Sequence, residues 1–482
     1  MMQVETMKPT KFFWFFAIFC LLIITVSSFY GLTNPYLWYD EAGQFWISMG
    51  LNHYSAPLSQ RGCLSDVLAS NISYNRDPGG FSVLLYFWMF ISSKTFFIRL
   101  LPFLFFIGGS YFFARIAYRE SKNLFFTAFL FVLPFLLPYV ANKSTELRGY
   151  CIEIFGMAAS VYLIMKIKER IYFWNILFLS IILSFTCTSR YASIIAAFAI
   201  SLRVVYYLYK EKGLKSSIPY IVLFSLPLLV TISLIYFGQM IYQNSDAEKI
   251  PYLQYIFSSP IVLLYPLSLS FYALIVLSYI AKRKNKSLSE ITICALSVGT
   301  IFFLFSLADK FPWDVIRTMP ATILIWFAIA IESYQLYFRN DKHLNLYLTA
   351  CLLVLSLFWI LMYERLHRGD RIDSEMNDIA NIVDNDKYSN IFVSLELNPS
   401  VRHFFEYGPG KELKKSDCYP DQFYLQAGSD HVITKEKSNF SKKSPLDVEA
   451  DFYIMNSSEL TGSLINHFKV YNNSRCVYRK ID

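Results

Sequence analysis

The sequence predicts a polytopic α-helical membrane protein with a small C-terminal α/β domain. Three observations predict it. The 482 residues are 55% hydrophobic and only 17% charged, with a mean hydropathy of +0.37, a balance foreign to soluble globular chains. Apolar stretches long enough to cross a bilayer recur as far as residue 362. Beyond that point the chain turns polar and charged and holds no further span.

The first span, 12–30, has no charge, and Lys8 and Lys11 ahead of it hold the N-terminus in the cytoplasm. Ser27-Ser28-Phe29 lacks small residues at cleavage spacing, so this span is expected to stay. Further spans are read at 98–114, 124–141, 151–165, 171–187, 192–209, 218–241, 260–280, 288–307, 315–335 and 344–362. The apolar stretch Phe81–Ser92 is short, and its placement sets the parity of everything after it. If it lies along the membrane, Arg115/Arg119/Lys122, Lys166/Lys168/Arg170, Lys210/Lys212/Lys215, Lys282/Arg283/Lys284/Lys286 and Arg339/Lys342 all face the cytoplasm. If it spans, all face outward. The preference of Lys and Arg for cytoplasmic loops selects the first arrangement. The expectation is about eleven spans, an outer C-terminus, and one large outer loop over 31–97 that contains a surface-lying helix.

The domains expected are thus a transmembrane part, 1–362, and an extracytoplasmic α/β part, 363–482. In the latter, 390–395, 451–455 and the region of Cys476 read as strands, while Pro399–Phe405 and Glu459–Phe468 read as helices. The net charge of +8 does not point to nucleic acid, because the basic residues cluster in short loops. Most of the 18% aromatic content is assigned to interfacial belts. The eight cysteines show no C-x-x-C metal spacing. Cys20, Cys151, Cys187, Cys294 and Cys351 read as apolar filler, and Cys418 and Cys476 either pair or stay free. The sequon Asn71-Ile72-Ser73 reads as a chance occurrence.

Two sets of residues point to chemistry. Asp40 and Glu41, in Leu37-Trp38-Tyr39-Asp40-Glu41-Ala42, emerge just after the first span, where a carboxylate can take a proton from an acceptor at the membrane surface. The same pair also suits the start of a helix over Ala42–Leu51. Arg99, Arg148, Arg190 and Arg317 each sit at the outer end of a span, the side disfavoured for cations. Headgroup snorkelling explains one such residue. Four together favour a membrane-embedded anion, since guanidinium groups bind phosphate oxygens in pairs. Their contexts are polar turns: Thr145-Glu146-Leu147-Arg148-Gly149-Tyr150 with Glu153 one helical turn on, Thr188-Ser189-Arg190-Tyr191, and Asp309-Lys310 before Trp313-Asp314.

These motifs resemble those of GT-C membrane glycosyltransferases, in the branch of the protein O-mannosyltransferases and the lipid A aminoarabinose transferases. The resemblance rests on Tyr39-Asp40-Glu41-Ala42, Asp77-Pro78-Gly79-Gly80, Arg99-Leu100-Leu101-Pro102, Glu146-Leu147-Arg148-Gly149-Tyr150 and Arg317-Thr318-Met319-Pro320, in that order over residues 10–335. Gly79 departs from the family's usual second proline. The resemblance implies inverting transfer of a sugar from a polyprenyl-phosphate donor to a hydroxyl or phosphate of an envelope acceptor, whether lipid, protein or polysaccharide. It makes Asp40 the general base and Glu41 its neighbour or substitute. Arg99, Arg148, Arg190 and Arg317 become ligands of the donor phosphate, and Tyr39, Asp77, Glu146, Tyr150 and Tyr191 line the substrate pocket. No cofactor is required. A divalent cation held by Asp40, Glu41, His53 and Asp77 is an option that some relatives use. The expected setting is a bacterial inner membrane, with the active site in the periplasm and membrane lipids as partners of a monomer.

Two other readings of the residues stay open. A transporter or flippase for lipid-linked glycans would show repeated halves and broken mid-membrane helices, and no repeat occurs here. A polysaccharide polymerase would use similar outer arginines, with its large loop late in the chain rather than first.

Overall fold

The computed structural model describes residues 11–51, 60–75, 77–137, 139–243, 266–307, 313–339, 341, 343–366, 390–393, 397–407, 422–426, 440–441, 452–455, 467–470 and 477–480. It divides into two compact units: Met1–Gly31 with Pro102–Met362, and Leu32–Leu101 with Tyr363–Asp482. His53, Asp309, Lys310, Cys418 and Cys476 lie outside the described residues.

The first unit is helical. It contains α1 (Lys11–Thr33), most of α5 (Thr95–Ser121), α6 (Leu124–Val132), α7 (Tyr150–Glu169), α8 (Phe173–Cys187) and α9 (Ala192–Ile235). It continues with α10 (Pro266–Arg283), α11 (Glu290–Leu307), α12 (Met319–Ser333) and α13 (Leu344–Leu366). Among the described residues six helices are long and apolar enough to cross a membrane: Phe13–Thr33, Thr95–Ser121, Tyr150–Glu169, Ala192–Gln243, Glu290–Leu307 and Met319–Phe338. The chain is a helical membrane protein by this criterion. α7 is apolar around most of its circumference and largely buried, as a central helix must be.

Of the spans read in the sequence, 171–187 and 344–362 have apolar helices shorter than 18 residues, Phe173–Cys187 and Leu344–Phe358, and two other regions depart in course. The stretch 124–141 is helical only to Leu133–Phe135, where Pro134 supplies no N–H and the chain tightens into a 3-10 turn. At 1.5 Å per residue α6 covers only part of a hydrocarbon core of about 30 Å, and the 3-10 turns after it carry the segment further. The stretches 192–209 and 218–241 are joined without a loop. α9 runs for 44 residues and is interrupted only at Gly213, whose φ of 71° and ψ of 169° suit glycine alone. Drawn straight, α9 would be about 66 Å long, twice what a bilayer accommodates. Instead Ile194 and Phe198 share a cleft with Leu228 and Ile232, so the two arms lie side by side.

Buried charges tie these helices together. Glu290 at the start of α11 receives Arg203 of α9 at 3.0 Å and Lys168 of α7 at 2.6 Å. Glu332 of α12 accepts from the Ser289 backbone N–H at 3.0 Å and from Thr292 at 2.7 Å.

The second unit joins α2 (Tyr39–Ser48), α3 (Leu64–Tyr74), α4 (Gly80–Trp88) and the first residues of α5 to the C-terminal part of the chain. α2 starts at Tyr39 with Trp38 as its N-cap, so Asp40 and Glu41 occupy its first turn rather than the cap. α4, at nine residues, is too short to span a membrane. The C-terminal part contributes α14 (Asn398–Glu406) and a six-stranded sheet of β1 (Asn390–Val393), β2 (Gln422–Gln426), β3 (Phe440–Ser441), β4 (Phe452–Ile454), β5 (Phe468–Val470) and β6 (Val477–Lys480). The order is β3-β2-β1-β4-β6-β5. β3, β2, β1 and β4 are parallel, with Asn390 opposite Gln422 and Phe392 opposite Tyr453, while β6 runs antiparallel beside β4 and β5. The central strands bury consecutive residues, Phe392-Val393 and Phe452-Tyr453-Ile454, as parallel strands covered on both faces do.

Gly213 provides a direct test of the α9 hairpin. A Cβ at this position has open space, so any cost of Gly213→Ala comes from backbone conformation alone. The expected loss is about 1–3 kcal/mol, read as a lower melting temperature in detergent. Gly238→Ala, also in open space but with no positive φ, is the control and does not lower the melting temperature.

Candidate functional site

At one end of the helical unit, the N-termini of α7, α9 and α12 come together. The turn at Gly149 abuts the turn before α9, where a Cβ on Gly149 would lie 3.0 Å from the Ser189 carbonyl oxygen. Arg190 donates toward the Ile316 carbonyl at 3.4 Å, which brings in the turn before α12. Helix N-termini carry partial positive charge and free backbone N–H groups, so their convergence favours an anion.

The side chains at this end add to that field. Arg190 lies 4.1 Å from the centre of the Tyr150 ring, Lys143 4.6 Å and Arg148 5.8 Å. Lys143 pairs with Glu146. Arg190 pairs with the fully buried Glu153 at 3.1 Å, and Ser193 donates to the same carboxylate at 3.0 Å. Three cations, Lys143, Arg148 and Arg190, thus gather around one aromatic ring. The Arg190–Glu153 pair holds the guanidinium in one place, as a preorganised anion site requires.

Four residues nominated from the sequence, Glu146, Arg148, Tyr150 and Arg190, therefore share one cluster. Lys143 was not among those nominated. Its spacing of three from Glu146, across the end of the short 3-10 helix Ala141–Ser144, gives no sequence signal that it faces Tyr150. Tyr191 sits one residue from the cluster, and its hydroxyl meets Gln243 at 2.5 Å. Arg317 is exposed and pairs loosely with Asp314 at 3.6 Å. Only its neighbour Ile316 touches the cluster.

The acidic pair belongs to the second unit. Glu41 is 2% exposed and accepts from Arg99 at 2.7 Å, and Arg99 is itself buried and also donates to the Tyr36 carbonyl at 2.7 Å. These two charges neutralise each other. Asp40 is half-buried, and Tyr39 is exposed beside it. Asp77 is half-buried in the turn before α4, and a chain of amides connects that turn to α2. Gln44 donates to Ser82 at 2.8 Å, Ser82 to Asn71 at 2.8 Å, and Asn71 to the Asp77 carbonyl at 3.0 Å. Asn71, the sequon asparagine, is wholly buried in this network and is closed to glycosylation in the folded chain. Among the described residues no group of three His, Cys, Asp or Glu side chains is arranged to hold a metal ion, so Asp40, Glu41 and Asp77 do not gather as one. No family model and no curated protein matches the chain.

Arg99→Ala would leave the buried Glu41 carboxylate without its arginine, with an expected loss of about 3–5 kcal/mol. The double variant Glu41→Leu/Arg99→Met removes both charges and restores much of it, and a double-mutant melting cycle reads the coupling. His403 of α14 supplies a pH test. Burial and the nearby Arg99 charge push its imidazole pKa from 6.5 down to about 3. The unfolded imidazole takes a proton near pH 6.5 and the folded one near 3. Its contribution is therefore complete above about 6.5 and is lost as the pH falls toward 3. Melting temperature should drop between pH 7 and pH 4, and His403→Phe should flatten that slope. An unchanged slope in the variant would assign it to other groups.

Proposed function

We propose that the chain is an integral membrane glycosyltransferase. It transfers a sugar from a polyprenyl-phosphate-linked donor to a hydroxyl or phosphate of an envelope acceptor, with inversion. The observation that carries this reading is the convergence of three helix N-termini with Lys143, Arg148 and Arg190 on Tyr150. That is a cation-rich site in a protein whose helices are built for lipid, and a lipid-borne phosphate is the anion such a place would meet. The motif order shared with GT-C transferases supports the same reading.

In this proposal the basic clusters at the ends of α5, α7 and α10 face the cytoplasm, about eleven segments cross the membrane, and the Tyr150 end is extracytoplasmic. Asp40 accepts the proton of the attacking hydroxyl. The hydroxyl oxygen bonds to the anomeric carbon as the bond from that carbon to the phosphate oxygen breaks. The leaving phosphate takes the electron pair, and Arg148, Lys143 and Arg190 stabilise its growing charge. Arg99 and Glu41 hold α2 in place. Arg317, exposed, is left to the entry of the headgroup. Phosphate chemistry and bond inversion ask nothing of a metal in this scheme, and a divalent cation stays an optional partner.

Asp40→Asn should abolish transfer while donor binding persists. Arg148→Ala should lower turnover about a hundredfold and weaken donor binding with it. Mass spectrometry of envelope lipids checks both, because the unused polyprenyl-phosphate sugar accumulates in the deletion and in the variants. Wild-type lipids in the Asp40→Asn strain would overturn the assignment of the base.

A further inference from the structure

The C-terminal domain has an architecture that usually binds something. Its four parallel strands run β3-β2-β1-β4, so the strand order reverses between β1 and β4. In open parallel sheets the ligand crevice lies outside the carboxyl ends of the strands at such a reversal. α14 follows β1 after four intervening residues.

This helix is covered by the protein's own chain. Trp46 of α2 donates its indole N–H to the Pro399 carbonyl, in the first turn of α14, at 3.0 Å. The Arg402 guanidinium lies over the Trp46 ring at 4.4 Å, and both side chains are almost wholly buried. Phe45 meets the His403 ring edge-on at 4.7 Å and the Tyr407 ring at 5.1 Å. Phe404 meets Tyr36 at 6.0 Å, and Tyr36 gives its carbonyl to the arginine that holds Glu41.

α14 therefore touches α2 along one face and touches the segment leading into it. On the opposite face, Gln44 bonds Ser48 and Ser82 and so fixes α2 to α4. Every residue from Glu41 to Met49 except Gly43 is buried. The helix can neither roll nor slide without breaking one of these faces, and its open end is the turn holding Tyr39 and Asp40.

We propose that the C-terminal α/β domain is the positioning element of the acidic helix: α14, through Arg402 and Pro399 on Trp46, sets where Asp40 stands. The part that concerns transfer rests on the glycosyltransferase reading, whereas the part that concerns α2 stands on the contacts alone.

The test uses the full chain in detergent with two conservative variants. Trp46→Phe keeps a ring and loses the indole N–H, and Arg402→Lys keeps the charge and loses the planar stack. Hydrogen exchange is followed by mass spectrometry over 39–48, with 150–169 as the internal reference. The same variants are expressed in cells, and polyprenyl-phosphate-linked sugars are measured in the lipid extract. The expected result is amide exchange about tenfold faster over 39–48, an unchanged reference segment, and donor accumulation approaching that of Asp40→Asn. Unaltered exchange over 39–48 in both variants would overturn the positioning role. So would faster exchange over 39–48 with wild-type lipid levels in strains where Asp40→Asn accumulates donor. If Asp40→Asn itself accumulates none, the transferase reading fails, and the exchange result alone decides whether α14 positions α2.

Discussion

A carboxylate removed from water must be matched where it lies, and this requirement organises the protein. Glu153, Glu290, Glu332 and Glu41 are all buried. Each is answered from another element: Glu153 by Arg190 and Ser193, Glu290 by Arg203 and Lys168, Glu332 by Ser289 and Thr292, Glu41 by Arg99. A broken pair leaves an uncompensated charge, so these contacts define which helices can be neighbours. They also decide which arginines remain for chemistry. Arg99 is spent on Glu41, while Arg190 is held by Glu153 and still faces Tyr150.

The cluster around Tyr150 follows from the same pairing. The Glu153 carboxylate one turn into α7 fixes Arg190, and Arg190 reaches the turn before α12. Three helix starts are thereby drawn to one place. Their dipoles and the cations gathered at Tyr150 act together on any anion there. Without Glu153 the cations at this end would repel one another. With it Arg190 is held in a fixed geometry beside Tyr150.

In the other unit the constraint is packing rather than charge. α2 is short and carries polar residues on the face opposite its aromatics, so it has little reason to be helical by itself. It is stable because α14 covers Phe45 and Trp46 and the Asn71 network holds Gln44. A carboxylate at the free end of a helix clamped on both sides has a defined position without being buried.

Membrane class and most helix positions were legible in the sequence, because hydropathy over some twenty residues is a local property. So was the polar turn 145–150, since Glu146 and Arg148 interrupt apolar surroundings. Helix ends were less legible where backbone chemistry decided them: Pro134 cut one segment short, and Gly213 joined two into a hairpin. Lys143 beside Tyr150, Arg99 neutralised by Glu41 and Trp46 seated on α14 left no trace in the sequence pattern. The last two join residues 58 and 353 positions apart. A chain read locally shows which residues are charged or aromatic. Which of them share a desolvated space, and therefore cancel, clamp or stay free to act, is determined only when distant segments pack.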